Sequence, residues 1–396
     1  MNVLLVNNKS FFYWSLTLVL MTLPFPKYSL NSMSMILCLL AWIGYTPFKK
    51  KIEKIRTQLP LFVLLSSFFW LSLLGLIYTK NLDEGFMNLK QSLPFFIFPL
   101  IFLSIDLKKK DYLKILKYFS SSVVLASVFA LIKSLLIKIN NYGDYLFFDQ
   151  LAIILEKHTT YFALFVIIAI SYFLFEIKNS KWKKSICFGA IISFLLLMLY
   201  MLSVRISVLG LISIGFIYLL QCKNKISSAK QLSLFVICCL ISLVYLSPNF
   251  QKRFNSKSPE GVEISDMGSR VIHWKAVLKR IGNENLFFGS GTGDGHTGLY
   301  EEYLKFNFET GFFNKYNAHN QYLETTLFFG ITGLFLLLLI LYKTIVKCIQ
   351  VKDMFGLSIT IVFIIFMITE SILERHSGTV IFSYLISMII SNKIRK

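Results

Sequence analysis

Runs of roughly 16 to 21 apolar residues recur along most of this chain. A helix rising 1.5 Å per residue needs about 20 residues to cross roughly 30 Å of hydrocarbon, so each run matches one crossing. Lipid offers no partner to backbone N–H and C=O groups, which leaves helices and closed barrels as the spanning structures. The short alternating segments of a barrel are absent, so the expected fold is an all-α, polytopic helical bundle embedded in a membrane. With 55% hydrophobic residues, 16% charged residues and a mean hydropathy of +0.64, the chain is too apolar for a soluble two-domain protein.

The expected spans are 11–26, 29–48, 59–78, 92–105, 118–137, 159–177, 186–203, 206–221, 232–247, 322–341, 355–371 and 379–391, about twelve in all. They divide the chain into an N-terminal bundle of about nine helices (1–247), one long polar loop (248–321) and about three C-terminal helices (322–396). The first span follows a nearly uncharged start and lacks a small-x-small cleavage site, so it reads as a retained helix rather than a signal peptide.

A net charge of +20 in a soluble protein would point to nucleic acid, but here its placement decides. The excess sits in short connections at 49–56, 108–117, 178–184, 223–230 and 342–352, and in the tail Asn-Lys-Ile-Arg-Lys. The positive-inside rule makes that side cytoplasmic, with both termini inside and the long loop outside. All six cysteines fall in spans or at their ends, so neither a disulfide nor a cysteine-based zinc site organises the loop.

Within the loop, Asp266 is placed to cap a helix from Met267 to Ile281 that Gly282 stops. Val271, Trp274, Leu278 and Ile281 share one face, which is expected to lie on the bundle with Arg270 at its flank. Further on, glycines alternate through Gly289-Ser-Gly-Thr-Gly-Asp-Gly295. Such a run can gather backbone N–H groups around an anion, or it can serve as a turn closing the helix against the bundle. It matches neither the dinucleotide fingerprint nor a Walker loop.

His319 and Asn320 stand at the water-facing start of a span, with Tyr322 and Glu324 on its first turns. An imidazole with an ordinary pKa near 6.5 suits proton abstraction from a sugar hydroxyl at neutral pH, and it serves equally as a cap or anchor. His158 begins another span in the same way. His273, His296 and His376 have no partner at metal-ligand spacing, so no metal site is expected. Arg205 interrupts nearly continuous apolar sequence between 186 and 220, where a guanidinium needs water or an anion unless it simply marks a hairpin turn. Glu370, Glu374 and Arg375 form a polar cluster at the outer end of a later span.

Taken together these residues resemble the O-antigen ligase and polymerase superfamily, bacterial inner-membrane proteins that handle glycans carried on undecaprenyl pyrophosphate. The resemblance rests on Arg205-x-x-x-Leu209, Ser269-Arg-x-x-x-Trp274, the stretch Asn285–Gly291, His319-Asn-x-Tyr-Leu-Glu324 and Gly330-Ile-x-Gly333, set around one large late loop. It implies metal-independent glycosyl transfer at the periplasmic face, with no cofactor and no nucleic acid. The donor would be an undecaprenyl-pyrophosphate-linked glycan and the acceptor lipid A-core or another glycan, both met among membrane lipids. Arg205 and Arg270 would hold the donor pyrophosphate and His319 would activate the acceptor hydroxyl. Asn320, Tyr322, Glu324, His158, Glu374 and Arg375 would support them. Arginine suits the task, since its planar fork binds phosphate bidentately. A flippase for the same lipid-linked glycan is the rival from another class. It would carry inverted repeats and ionisable residues at span centres, whereas the polar residues here gather at outer span ends.

Overall fold

The computed structural model describes residues 2–178, 180–221 and 266–392. Among them every regular element is helical, and the only strand-like feature is an isolated bridge between Asn285 and Gly289. In chain order the helices are α1 (Asn2–Thr22), α2 (Tyr28–Tyr45), α3 (Phe48–Arg56), α4 (Leu59–Leu65), α5 (Ser67–Gly75), α6 (Leu82–Ser92), α7 (Pro94–Ser104), α8 (Lys109–Ile139), α9 (Phe148–Ile153), α10 (Thr159–Ile177), α11 (Trp182–Leu202) and α12 (Ile206–Gln221). After the undescribed stretch come α13 (Asp266–Gly282), α14 (Gly295–Lys305), α15 (Glu309–Phe313), α16 (Gln321–Val351), α17 (Met354–Met367), a 3-10 turn at Ile372–Glu374 and α18 (His376–Ser391).

Among the described residues six stretches are long and apolar enough to cross a membrane: α2, α6 with α7, α8, α10, α11 and α16. The shorter α12, α17 and α18 are equally apolar in character. Helices occupy most of the positions that run length predicts, but the expected span 59–78 is two short helices, α4 and α5, meeting at Ser66, and the expected span at 232–247 lies outside the described residues. Residues 82–104 form two helices because Pro94 starts a new one, a position where its missing N–H costs nothing.

Two helices form the centre. Tyr161 to Leu174 of α10 and Ser377 to Ile390 of α18 are buried without interruption. Around them, outer helices turn apolar stripes to the surroundings: Met33, Ile36 and Leu40 on α2, Leu125, Phe129, Ile132 and Leu136 on α8, and Leu209, Ile212 and Phe216 on α12 are all exposed. Large apolar stripes at helical spacing on the outside suit lipid, not water.

Basic connections share one end of the bundle. Lys54 pairs with Asp106, Tyr112 Oη donates to Asp353 Oδ2 at 2.9 Å, and Lys178 Nζ donates to the Gln221 carbonyl at 3.2 Å. At the opposite end His376 Nε2 meets Asn31 Oδ1 at 2.9 Å and Tyr161 Oη donates to the Ser371 carbonyl at 2.9 Å. There α13, α14 and α15 build a cap with its own small core of Ala276, Val277, Leu299, Tyr303, Phe308, Ala318, Leu327 and Phe328.

The glycine run closes that cap onto the bundle. Within α16, Gly330 adopts φ 61° and ψ −162°, which opens the helical hydrogen-bond ladder. Residues 286–291 run into the opening. Ser290 and Gly291 donate N–H to the carbonyls of Leu327 and Phe328 at 2.9 and 3.1 Å, and Ile331 donates to Leu286 at 2.9 Å. A Cβ on Gly289 would stand 2.6 Å from the Gly330 nitrogen, so the two backbones meet only because both residues lack a side chain. Gly293 donates to Thr79 Oγ1 at 2.8 Å, and the Asp294 carboxylate accepts from the N–H groups of Lys80 and Asn81 at 2.7 and 2.9 Å. With these N–H groups engaged by the protein, the anion nest gives way to the turn reading.

The loop helix has the expected bounds but the opposite face buried. His273, Ala276 and Val277 are buried, whereas Val271 and Leu278 are 47% and 56% exposed. The helix packs on α14 and α16, where His273 enters an aromatic pocket of Tyr303, Phe308, Tyr316 and His319. An apolar stripe marks the docking face only when the partner surface is apolar and the other side is water. Here the cap core receives the face that carries Ala276 and Val277.

Candidate functional site

Residues 317–324 connect the cap to α16, and their side chains hold two clusters. The first surrounds His319, whose backbone takes the left-handed conformation (φ 45°). That strained geometry is held by its neighbours. Asn317 Oδ1 accepts the His319 N–H at 2.9 Å, Glu324 Oε2 accepts the Ala318 N–H at 2.8 Å, and Asn317 Nδ2 donates to Glu374. Asn320 caps α16 by accepting from Tyr322 and Leu323 at 3.0 and 3.1 Å, and its amide donates to the Ile368 carbonyl at 3.0 Å. Tyr322 Oη donates to the Ile364 carbonyl at 3.0 Å. Asn320, Tyr322 and Glu324 therefore build the site, fastening the start of α16 to the end of α17.

That fastening delivers Glu370. Its carboxylate is 4% exposed, with Oε1 at 3.6 Å from His319 Nδ1, an ion-pair separation rather than a hydrogen bond. Burial pushes the Glu370 pKa up, but the facing His319, His158 and Arg270 outweigh it and hold the carboxyl below its ordinary range. His158, at the N-cap of α10, has its pKa lowered by burial, with Glu370 opposing. His273 stacks on His319 with ring centroids 5.2 Å apart, and burial followed by the charges of His319 and Arg270 brings its pKa down to about 3. At neutral pH His273 is an uncharged wall.

Arg270 thus stands close enough to act electrostatically on both Glu370 and His273. Arg205 sits in the turn between α11 and α12, after Ser203 ends α11 in the left-handed conformation. One turn further, Gly210 packs near Ile167 of α10 and Phe366 of α17, which sets Arg205 at the end of the bundle that holds His158 and Glu370. Arg375 is exposed, at the N-cap of α18.

The second cluster is the one the sequence does not reveal. His296 Nε2 lies 2.6 Å from Glu324 Oε1 and 3.5 Å from Glu374 Oε1. Burial works against charge on His296, yet Glu324, Glu374 and Glu84 raise its pKa to about 9. Burial and then the facing Glu324 raise Glu374 to about 7. Both carboxylates and the imidazole line a cavity shared with Ser72, Asn88, Gln91, Gln321 and Phe328. Sequence spacing gives His296 no ligand partner, and the fold brings it two carboxylates from 28 residues away or more, on other elements, where no spacing rule reaches.

Residues 190–338 match the family model described as O-antigen ligase. That stretch includes Arg205, Arg270, the glycine run, His319–Glu324 and the Gly330 break, and the match supports the O-antigen ligase and polymerase superfamily. No curated protein matches the chain.

Proposed function

We propose that this multi-pass membrane protein of the O-antigen ligase and polymerase superfamily acts as a ligase. It would move a glycan from undecaprenyl pyrophosphate to an acceptor hydroxyl, lipid A-core in the ligase case, at the periplasmic face of the bacterial inner membrane. In this topology about twelve spans place both termini in the cytoplasm and the 248–321 loop outside. The gathering of basic connections at one end and of His319 and the arginines at the other supports it.

His319 takes the acceptor hydroxyl proton as general base. The hydroxyl oxygen bonds to the sugar's anomeric carbon, and the bond from that carbon to the pyrophosphate oxygen breaks. Glu370 stabilises the imidazolium as it forms, because the charge that appears on His319 is what holds the buried carboxyl below its ordinary range, with Arg270 adding to it. Arg205 and Arg270 hold the pyrophosphate and offset the charge that grows on it as it leaves. The transfer itself uses no metal. The observation that carries this reading is the left-handed His319, held with Nδ1 toward the buried Glu370 carboxyl, on which Arg270 also acts.

The test is transfer from a polyprenyl-pyrophosphate glycan by purified His319→Ala protein. At wild-type membrane level its rate should fall by about 10² to 10⁴, and near-normal transfer moves the base elsewhere. Deleting the gene separates ligase from polymerase. A lost ligase leaves long polymer stranded on the polyprenyl carrier and bare lipid A-core, whereas core capped with a single repeat would mean a polymerase.

A further inference from the structure

We propose that His296, Glu324 and Glu374 form a binding site for a divalent transition metal, zinc or manganese, that clasps the cap to the bundle. The ion takes no part in the transfer step, although Glu324 and Glu374 also hold the turn that carries His319. His296 comes from α14, Glu324 from the first turn of α16 and Glu374 from the 3-10 turn before α18, so one ion would tie three elements. One donor atom from each lies within 4.8 Å of the other two. His296 and Glu324 are 8% and 4% exposed, and Glu374 is half-buried.

The make-up of the cluster argues for a cation. Two carboxylates converge on one imidazole, Glu324 Oε1 at 2.6 Å and Glu374 Oε1 at 3.5 Å from Nε2. Among the described residues no lysine or arginine lies within ion-pair distance of Glu324 or Glu374, and the exposed Arg375 acts on Glu374 only from farther off. A bland buried ion pair would need only one acid.

Geometry and donor type agree. Ligand atoms around a tetrahedral ion at about 2.0 to 2.2 Å stand roughly 3.3 Å apart. The His296 to Glu374 separation of 3.5 Å fits already, and the 2.6 Å contact to Glu324 opens when a metal replaces the shared proton. One imidazole with two carboxylates is a borderline set, which zinc and manganese both accept and which leaves positions for water. Outer contacts hold the carboxylates. Ala318 N–H and Ser371 Oγ donate to Glu324 Oε2 at 2.8 and 3.2 Å, and the Asn317 amide donates to Glu374 Oε2. The cavity lined by Asn88 and Gln91 gives an ion its way in.

The experiment uses the full chain in lipid nanodiscs, stripped with a chelator, incubated with zinc or manganese chloride and desalted. Wild-type protein should retain one metal per chain and gain thermal stability. His296→Gln and Glu374→Gln proteins of the same monodisperse size should lose the metal, and His319→Ala should keep it, which separates this site from the catalytic reading. Cobalt offers a check free of any variant: bound to wild-type protein it should show the intense visible absorption of a low-coordinate nitrogen and oxygen site. Wild-type protein without stoichiometric metal, metal retained equally by both ligand variants, or a cobalt spectrum unchanged from the aqueous ion would each overturn the proposal.

Discussion

The two clusters flanking residues 317–324 use the same side chains to opposite ends. Around His296, two carboxylates converge on one ring, each also held by amide or hydroxyl donors. Around His319, one buried carboxylate stands back at 3.6 Å and two arginines share the same end of the bundle. The first arrangement builds a joint, and the second keeps its carboxylate 3.6 Å from the ring, beyond hydrogen-bond distance. Burial alone does not mark a reactive group. What distinguishes the second cluster is charge placed near a ring without being spent on it.

Substitution should pull the two apart. Glu324→Ala strands His296, the Ala318 N–H and the Ser371 hydroxyl at once, so it should cost about 3 to 5 kcal/mol. Its signature is lost membrane-inserted protein and a lowered unfolding temperature, against the His319→Ala signature of full protein level with little transfer. Equal thermal stability of the two variants would erase the distinction. Arg270→Lys keeps the charge but loses the fork, so partial transfer is expected where Arg270→Ala leaves almost none, measured as initial rates at saturating donor.

Smaller effects sharpen it further. The His273 pKa of about 3 lies below its unfolded value near 6.5, so the unfolded chain binds the proton more readily. The associated stability is therefore complete above about pH 6.5 and falls by about 1.4 kcal/mol per unit as pH drops toward 3. The protection factors of α13 amides, corrected for the intrinsic pH dependence of exchange, should fall between pH 7 and pH 5, and a His273→Phe variant should lose that dependence. Asn320→Ala removes only a helix cap and a tie to Ile368, so a loss of about 1 kcal/mol in thermal stability is expected.

Helix positions were legible because hydrocarbon thickness dictates run length, a constraint that no tertiary contact can override. The bounds of α13 were legible for a similar reason, since Gly282 and a helical sequence pattern are local signals. Its buried face was not. Val271 and Leu278 look like a docking stripe only if the far side is water, and His273 won because an aromatic pocket assembled from 303–319 receives it. Among site residues, His319, Arg205 and Arg270 stand out as polar groups in apolar or amphipathic surroundings. His296 and Glu370 acquire meaning only through neighbours brought from other helices, and sequence distance hides such partners.

The break at Gly330 links two events usually treated as separate, insertion of a helix into the bilayer and folding of an extramembrane segment. Until residues 286–291 arrive, the N–H of Ile331 and the carbonyls of Leu327 and Phe328 lack the partners they have in the finished protein. Near lipid that deficit is severe, so α16 holds its final kinked shape only after the cap has folded against it. A side chain at Gly289, far from any reacting group, would then act as an assembly defect: α16 would settle as a straight helix and His319 would never reach Glu370.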